Sequence, residues 1–217
     1  MKEIRACIFD LDGVIIDTAS HHFMAWCQLA DELGIPFADE HNEALKGLSR
    51  LDSLEYILNI GGMVLDSETK LRLMETKNAH YLKLVGNITP MDVLPGVVDF
   101  MDILKSKGIK VALGSSSKNA EMILTRLHLI DQFDALVDGN HITLSKPDPE
   151  VFIQGAKALR IEPEYCLVFE DAQSGIDAAK AGGFPVVGIG SLAALSKADA
   201  VIPGFDGLTW NGLKALL

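Results

Sequence analysis

Short runs of apolar, largely β-branched residues recur at 4–9, 110–113, 135–137, 167–169, 186–189 and 200–202, and most of the stretches between them repeat their apolar positions at helical spacing. A run that is apolar at nearly every position needs burial on both faces, which a parallel sheet covered by helices on each side provides. The alternation therefore predicts an α/β domain with a Rossmann-like, doubly wound parallel sheet. Its crossover helices fall over 97–105, 120–128, 150–159, 175–181 and 208–217. A chain of 217 residues that is 48% hydrophobic can bury such a core and still carry an insertion.

The insertion shows as a break in that alternation, because from 18 to 85 the periodicity is helical throughout. Phe23, Trp26, Leu29, Ala30 and Leu33 form one apolar stripe, closed by Gly34 and Pro36. Leu51, Leu54, Ile57 and Leu58 form a second, closed by Gly61 and Gly62, and Leu71, Leu73, Met74, Tyr81 and Leu82 a less regular third. This predicts an inserted α-helical cap domain, 18–85, over the strand ends of a core made of 1–17 and 86–217. Hinges are expected near Asp17-Thr18 and Thr89-Pro90.

Several function classes fall away. A net charge of −11 speaks against nucleic acid as a partner, since phosphate backbones are bound through clustered Lys and Arg. Cys7, Cys27 and Cys166 are widely spaced with no C-x-x-C pair, so neither a zinc site nor a disulfide framework is expected. No stretch approaches the roughly 18 apolar residues of a membrane span, and no basic segment followed by a long apolar run opens the chain. A soluble cytoplasmic protein, acting as a monomer on a small molecule, is the expectation.

In an open α/β sheet ligands gather beyond the carboxyl ends of the strands, so the residues following each predicted strand carry most of the chemical information. Asp10 and Asp12 follow the first, with Gly13 free to turn the chain. Ser115, Ser116, Ser117, Lys118 and Asn119 follow the second, Lys146 lies in the loop after the third, and Glu170-Asp171 follow the fourth. In extended backbone Asp10 and Asp12 project to the same side. Two carboxylates there are costly to keep ionised unless a cation lies between them or one retains its proton. Singly, each segment has an ordinary structural use: an acidic turn, a Ser/Asn helix cap, a Pro-rich turn, an acidic helix start. A phosphoryl-transfer site around a divalent cation is what requires all of them at one rim.

Asp10-Leu11-Asp12-Gly13, Ser115, Lys146-Pro147 and Glu170-Asp171, in this order, resemble the four motifs of the haloacid dehalogenase superfamily of phosphotransferases, and the resemblance covers essentially the whole chain. Within that superfamily the insertion is similar to the cap of the β-phosphoglucomutase family, through Thr18, His22, Trp26, Leu45-Lys46-Gly47-Leu48-Ser49-Arg50, Ser53, Lys77 and Asn78. The stretch from Ser115 to Asn119 is similar to that family as well. The resemblance implies that Asp10 is the nucleophile and Asp12 the general acid and base, with Thr18 and His22 completing the catalytic set. It implies Mg²⁺ held by Asp10, the backbone carbonyl of Asp12 and Asp171, with Glu170 in or beside the shell. Ser115 and Lys146 would contact the transferring phosphoryl group. The loop Lys46, Gly47, Leu48, Ser49 and Arg50, together with Ser117, Lys118 and Asn119, would grip the phosphate that is not transferred.

Trp26, Ser53, Lys77 and Asn78 complete the implied substrate site. By residue type alone, lysines on helical faces such as Lys46 and Lys77 point to water, and Trp26 packs the first helix of the insertion. His21 stands beside His22, so the register of that match is open by one position. Gly114 stands where a small side chain such as alanine is familiar, Ser116 replaces another small residue, and the loop Gly61-Gly62-Met63-Val64 has no clear counterpart. The activity implied is an isomerase moving phosphate between the 1- and 6-positions of β-glucose through a bisphosphate and phospho-Asp10. A sugar-phosphate phosphatase with the same core is the rival. A non-catalytic sugar-phosphate binder has no need of the intact set Asp10, Asp12, Lys146 and Asp171.

Overall fold

The computed structural model describes residues 3–45 and 48–217. In chain order its first elements are β1 (Ala6–Phe9), α1 (Ala19–Leu33), α2 (Asp39–Leu45), α3 (Arg50–Ile60), α4 (Ser67–Leu84), α5 (Val97–Ser106), β2 (Lys110–Gly114) and α6 (Ala120–Arg126). There follow β3 (Ala135–Val137), α7 (Glu150–Leu159), β4 (Cys166–Glu170), α8 (Gln173–Ala181), β5 (Val186–Ile189), β6 (Ala200–Ile202) and α9 (Trp210–Leu216). The chain divides into two compact units, Met1–Asp17 with Thr89–Leu217, and Thr18–Ile88.

In the larger unit the strands form one parallel sheet in the order β3-β2-β1-β4-β5-β6. They lie where the apolar runs predict, with β4 extended to Cys166 and Glu170. β1 is paired on both edges and buried at every residue, which explains its unbroken apolar sequence. Its residues alternate between two cores. Ile8 sits opposite Val168 in a cluster with Phe152, Ile176 and Phe184, while Phe9 stacks on Phe169 at 4.8 Å beside Phe100 and Phe205. Each such side chain contributes on the order of 1.5–3 kcal/mol by leaving water. A β-carbon on Gly114 would lie 2.9 Å from the Phe152 ring and 3.0 Å from Ile8. The glycine thus makes room for Phe152, and this departure from the family pattern is one of packing.

From β1 the chain builds β2 and β3 on one side, then crosses through α7 to β4 on the other. The reversal leaves a crevice beyond the carboxyl ends of β1 and β4, the usual ligand position in such a sheet. Cys7 and Cys166 are buried free thiols in these strands, and burial pushes the Cys166 thiol up to about 12. Among the described residues no helix is long and apolar enough to cross a membrane.

The smaller unit is helical. Trp26, Leu29 and Ala30 of α1 and Leu54, Ile57 and Leu58 of α3 form its core, with Leu73 and Met74 of α4 packed against it. α1 stops at Gly34, whose φ of 68° lets the Ile35 amide reach back to Ala30 O at 2.9 Å. α3 starts at Ser49, whose hydroxyl accepts from the Asp52 amide, and α4 at Asp66, which accepts from Thr69. In the loop with no familiar counterpart, Gly61 lets Ile35 approach, Met63 joins the core and Val64 stands in solvent. No apolar stripe announced α2, which is too short to show a period. Residues 86–88 stay with this unit, beyond the expected boundary at 85, because the 3₁₀ turn Val85–Asn87 prolongs α4 and Ile88 bonds back to Val85.

Candidate active site

β1 ends at Phe9, but the Asp10 amide still donates to Phe169 O at 3.0 Å, so Asp10 is held on the sheet edge between β1 and β4. The chain then leaves strand geometry. Gly13, at φ 74°, donates to Ile16 O at 2.8 Å, Ile15 donates to Leu11 O, and Leu94 donates to Ile15 O, tying the loop down. Asp12 forms an isolated bridge with Ile16 within this loop. The carboxylates that do converge are those of Asp10, Glu170 and Asp171, which offer oxygens within 4.8 Å of one another. The Asp12 carboxylate is not in that group.

Two glycines make the convergence possible. A β-carbon on Gly13 would overlap the Asp171 carboxylate, and one on Gly175 would overlap that of Glu170. Lys146 stands among the acids, its ammonium donating to Asp10 Oδ1 at 2.8 Å and to Glu170 Oε1, while the other Glu170 oxygen accepts from the Ala172 amide at 3.0 Å. Lys146 is 2% exposed and Glu170 fully buried, so these charges exist only because they meet. Burial works against the lysine's charge, yet the Asp10 and Glu170 carboxylates hold its pKa above the ordinary value. Burial likewise pushes the Glu170 carboxyl up to about 7, opposed by Lys146 and reinforced by Asp10. Three converging carboxylates, with oxygen the only donor they offer, fit a hard divalent cation.

The loop that delivers Lys146 is fastened by a residue the sequence reading missed. Glu150, at the start of α7, accepts from the Thr143 amide at 2.9 Å, the Leu144 amide at 2.6 Å and the Thr143 hydroxyl at 3.0 Å. Those bonds hold its carboxyl below the usual range, the Leu144 amide foremost. Its place at a helix start reads from sequence as a dipole partner, and only the fold shows the loop it grips.

β2 pairs with β1 through Leu113 and Phe9, so Ser115 emerges beyond the same edge as Asp10. Its amide donates to Val137 O, its hydroxyl accepts from Ser117 at 3.2 Å, and the Ser117 hydroxyl accepts from Asn119 at 3.3 Å. Ser116 Oγ is buried with no hydrogen-bond partner among the described residues. Lys118 is exposed.

In the smaller unit many of the expected residues come together. His22 stacks on Tyr81 with ring centroids 4.0 Å apart, and its Nδ1 lies 2.7 Å from the Lys77 ammonium. Lys77 does not point to water. It is 2% exposed, with Nζ 4.6 Å from the Trp26 ring and 5.0 Å from that of Tyr81. His21 instead neighbours the exposed Ser20 hydroxyl, so His22 is the histidine that faces the cluster. Burial, then the Lys77 and Arg50 charges, keep the His22 pKa well below its ordinary value. Arg50 donates to Asn78 Oδ1 at 2.8 Å. Thr18, just before α1, and Ser53, in the first turn of α3, are buried polar residues, and Trp26 lies in the helical core. Leu48 packs on that core and Ser49 caps α3, so these side chains are already engaged by the fold. Lys46 and Gly47 lie outside the described residues. Tyr81, which belongs by its spacing to the third apolar stripe, offers its ring as the platform for His22.

A family model described as haloacid dehalogenase-like hydrolase matches residues 4–183. The chain is 44% identical over 212 residues to beta-phosphoglucomutase from Bacillus subtilis, covering 95% of this chain and 92% of that protein. It is 33% identical to a phosphorylated carbohydrates phosphatase from Thermotoga maritima, over 83% of this chain and 82% of the relative. The crystal structure of beta-phosphoglucomutase from Clostridium difficile superposes with a TM-score of 0.94 at 41% identity, covering 98% of this chain and 96% of the other.

Proposed function

The chain belongs to the haloacid dehalogenase-like hydrolase family, and from that premise we propose that it interconverts β-glucose 1-phosphate and β-glucose 6-phosphate through β-glucose 1,6-bisphosphate. The observation that carries the reading is the likeness to a mutase at 44% identity along 95% of the chain, against 33% along 83% for a phosphatase. The meeting of Asp10, Lys146, Glu170 and Asp171 at the sheet's reversal supplies the chemistry it needs.

In this reading the Asp10 carboxylate attacks the phosphorus, the bond to the sugar oxygen breaks, and phospho-Asp10 forms. Asp12, outside the carboxylate cluster, gives a proton to the departing sugar oxygen and later takes one from the hydroxyl that attacks phospho-Asp10. Lys146 orients Asp10 and faces the charge of the transferring group, with the Ser115 hydroxyl beside it. Mg²⁺ would be held by Asp10, Asp171 and the Asp12 carbonyl, with Glu170 beside them, and when bound would neutralise charge on the phosphoryl oxygens. Ser117, Lys118 and Asn119 of the larger unit hold the phosphate that is not transferred. Arg50 and the loop before it, with Thr18, His22, Trp26, Ser53, Lys77 and Asn78, are the smaller unit's contribution to the sugar phosphate. The reaction belongs in the cytoplasm, where charge retains phosphorylated sugars.

The test is a coupled assay with Mg²⁺, β-glucose 1-phosphate and a trace of the bisphosphate. Glucose 6-phosphate formation is the expected result. Release of inorganic phosphate in its place would make the protein a phosphatase, and no turnover would make it a binder.

A further inference from the structure

Beyond β3 the segment Asp138-Gly139-Asn140 runs against the backbone of residues 115–118, and the contact is polar. Ser115 donates to Val137 O at 3.0 Å, Gly139 to Ser117 O at 3.2 Å, and the Asn140 side-chain amide to Lys118 O at 3.1 Å. A β-carbon on Gly139 would overlap the Ser116 carbonyl, so the approach is as close as backbone allows. On the outer side an open cavity of about 550 Å³ is lined by Lys118, Met122, Asp138 and Asn140. Lys118 thus borders open space, while hydrogen bonds from Gly139 and Asn140 hold the Ser117 and Lys118 carbonyls.

Asn140 is itself aimed. Asp138 is 2% exposed, and a buried carboxylate must collect donors. It takes the Asn140 amide at 2.8 Å and Asn140 Nδ2 at 3.0 Å, and lies 2.8 Å from His141 Nδ1. With one hydrogen of Nδ2 on Asp138, the other points at the Lys118 carbonyl. Ser115 is anchored independently by Val137, so this clamp acts only on the far end of the loop.

We propose that Asn140, oriented by Asp138, is a positioning residue for residues 117–119, and through them for affinity toward the phosphate that is not transferred. The affinity part rests on the proposed mutase reading. Asn140 is exposed, so Asn140→Ala keeps the fold. Loss of one hydrogen bond predicts that amide hydrogen exchange at 117–119 quickens by roughly five- to ten-fold, with a rise of similar size in KM for β-glucose 1-phosphate. Hydrolysis of a small aryl phosphate, which has no second phosphate, stays within about two-fold. Asp138→Asn produces the same pattern, and the double variant adds little to either single one. Unchanged exchange at 117–119, or equal losses on both substrates, overturns the proposal. Should the wild-type protein convert no glucose phosphate, the mutase reading fails, and the exchange measurement alone decides the clamp.

Discussion

A β-carbon at position 13 has nowhere to go, since the Asp171 carboxylate fills that space and the backbone holds φ at 74°. Gly13→Ala combines left-handed strain, about 1–2 kcal/mol, with displacement of an acid from the cluster. The expected result is a lower melting temperature together with Mg²⁺ affinity weakened by roughly ten-fold or more in titration calorimetry; normal affinity would remove Asp171 from the metal site. Asp10→Asn leaves the shape of the site but no nucleophile, so turnover drops by several orders of magnitude with an unchanged circular dichroism spectrum. Near-normal rates would reject the nucleophile assignment. Arg50→Ala is expected to impair use of the sugar bisphosphate far more than hydrolysis of a small aryl phosphate, and equal losses would exclude Arg50 from phosphate recognition.

At the level of elements, the seam between α1 and α4 carries a pH dependence whose sign follows from His22. Burial and the nearby Lys77 and Arg50 charges favour its neutral form in the fold, while the unfolded chain titrates near the ordinary histidine value. Between those two pKa values the unfolded state binds more protons, so this contribution is complete above about pH 6.5 and is lost as pH falls toward the lowered value. The slope is at most about 1.4 kcal/mol per pH unit, and His22→Gln flattens it in denaturant titrations from pH 7 to pH 5. A slope unaltered by the substitution would show that His22 is not the group that titrates.

For the whole molecule, gathering the carboxylates of Asp10, Glu170 and Asp171 costs stability that a bound cation would restore. Mg²⁺ at about 100 times its Kd should add about 2.7 kcal/mol, visible as a rise in melting temperature that chelation reverses and Asp171→Asn abolishes. A melting temperature indifferent to Mg²⁺ would contradict the site. The sheet was legible in the sequence because each strand of a parallel α/β core is buried on both faces, and that burial writes itself into every residue of 6–9 or 186–189. The strand-end acids and Ser115 were legible for the same reason, since their positions follow from where strands stop, whereas Lys146 stands in the long loop after β3 and was legible by its motif. Other features arise from chain segments distant in sequence, and no local pattern encodes them. Lys77 is buried against Trp26 and Tyr81 where helical spacing would leave it in water, Glu150 fastens the Lys146 loop, and Asn140 holds Lys118. Periodicity reports which face of an element is apolar, whereas what a buried charge meets there depends on packing between elements, and tertiary structure alone decides that.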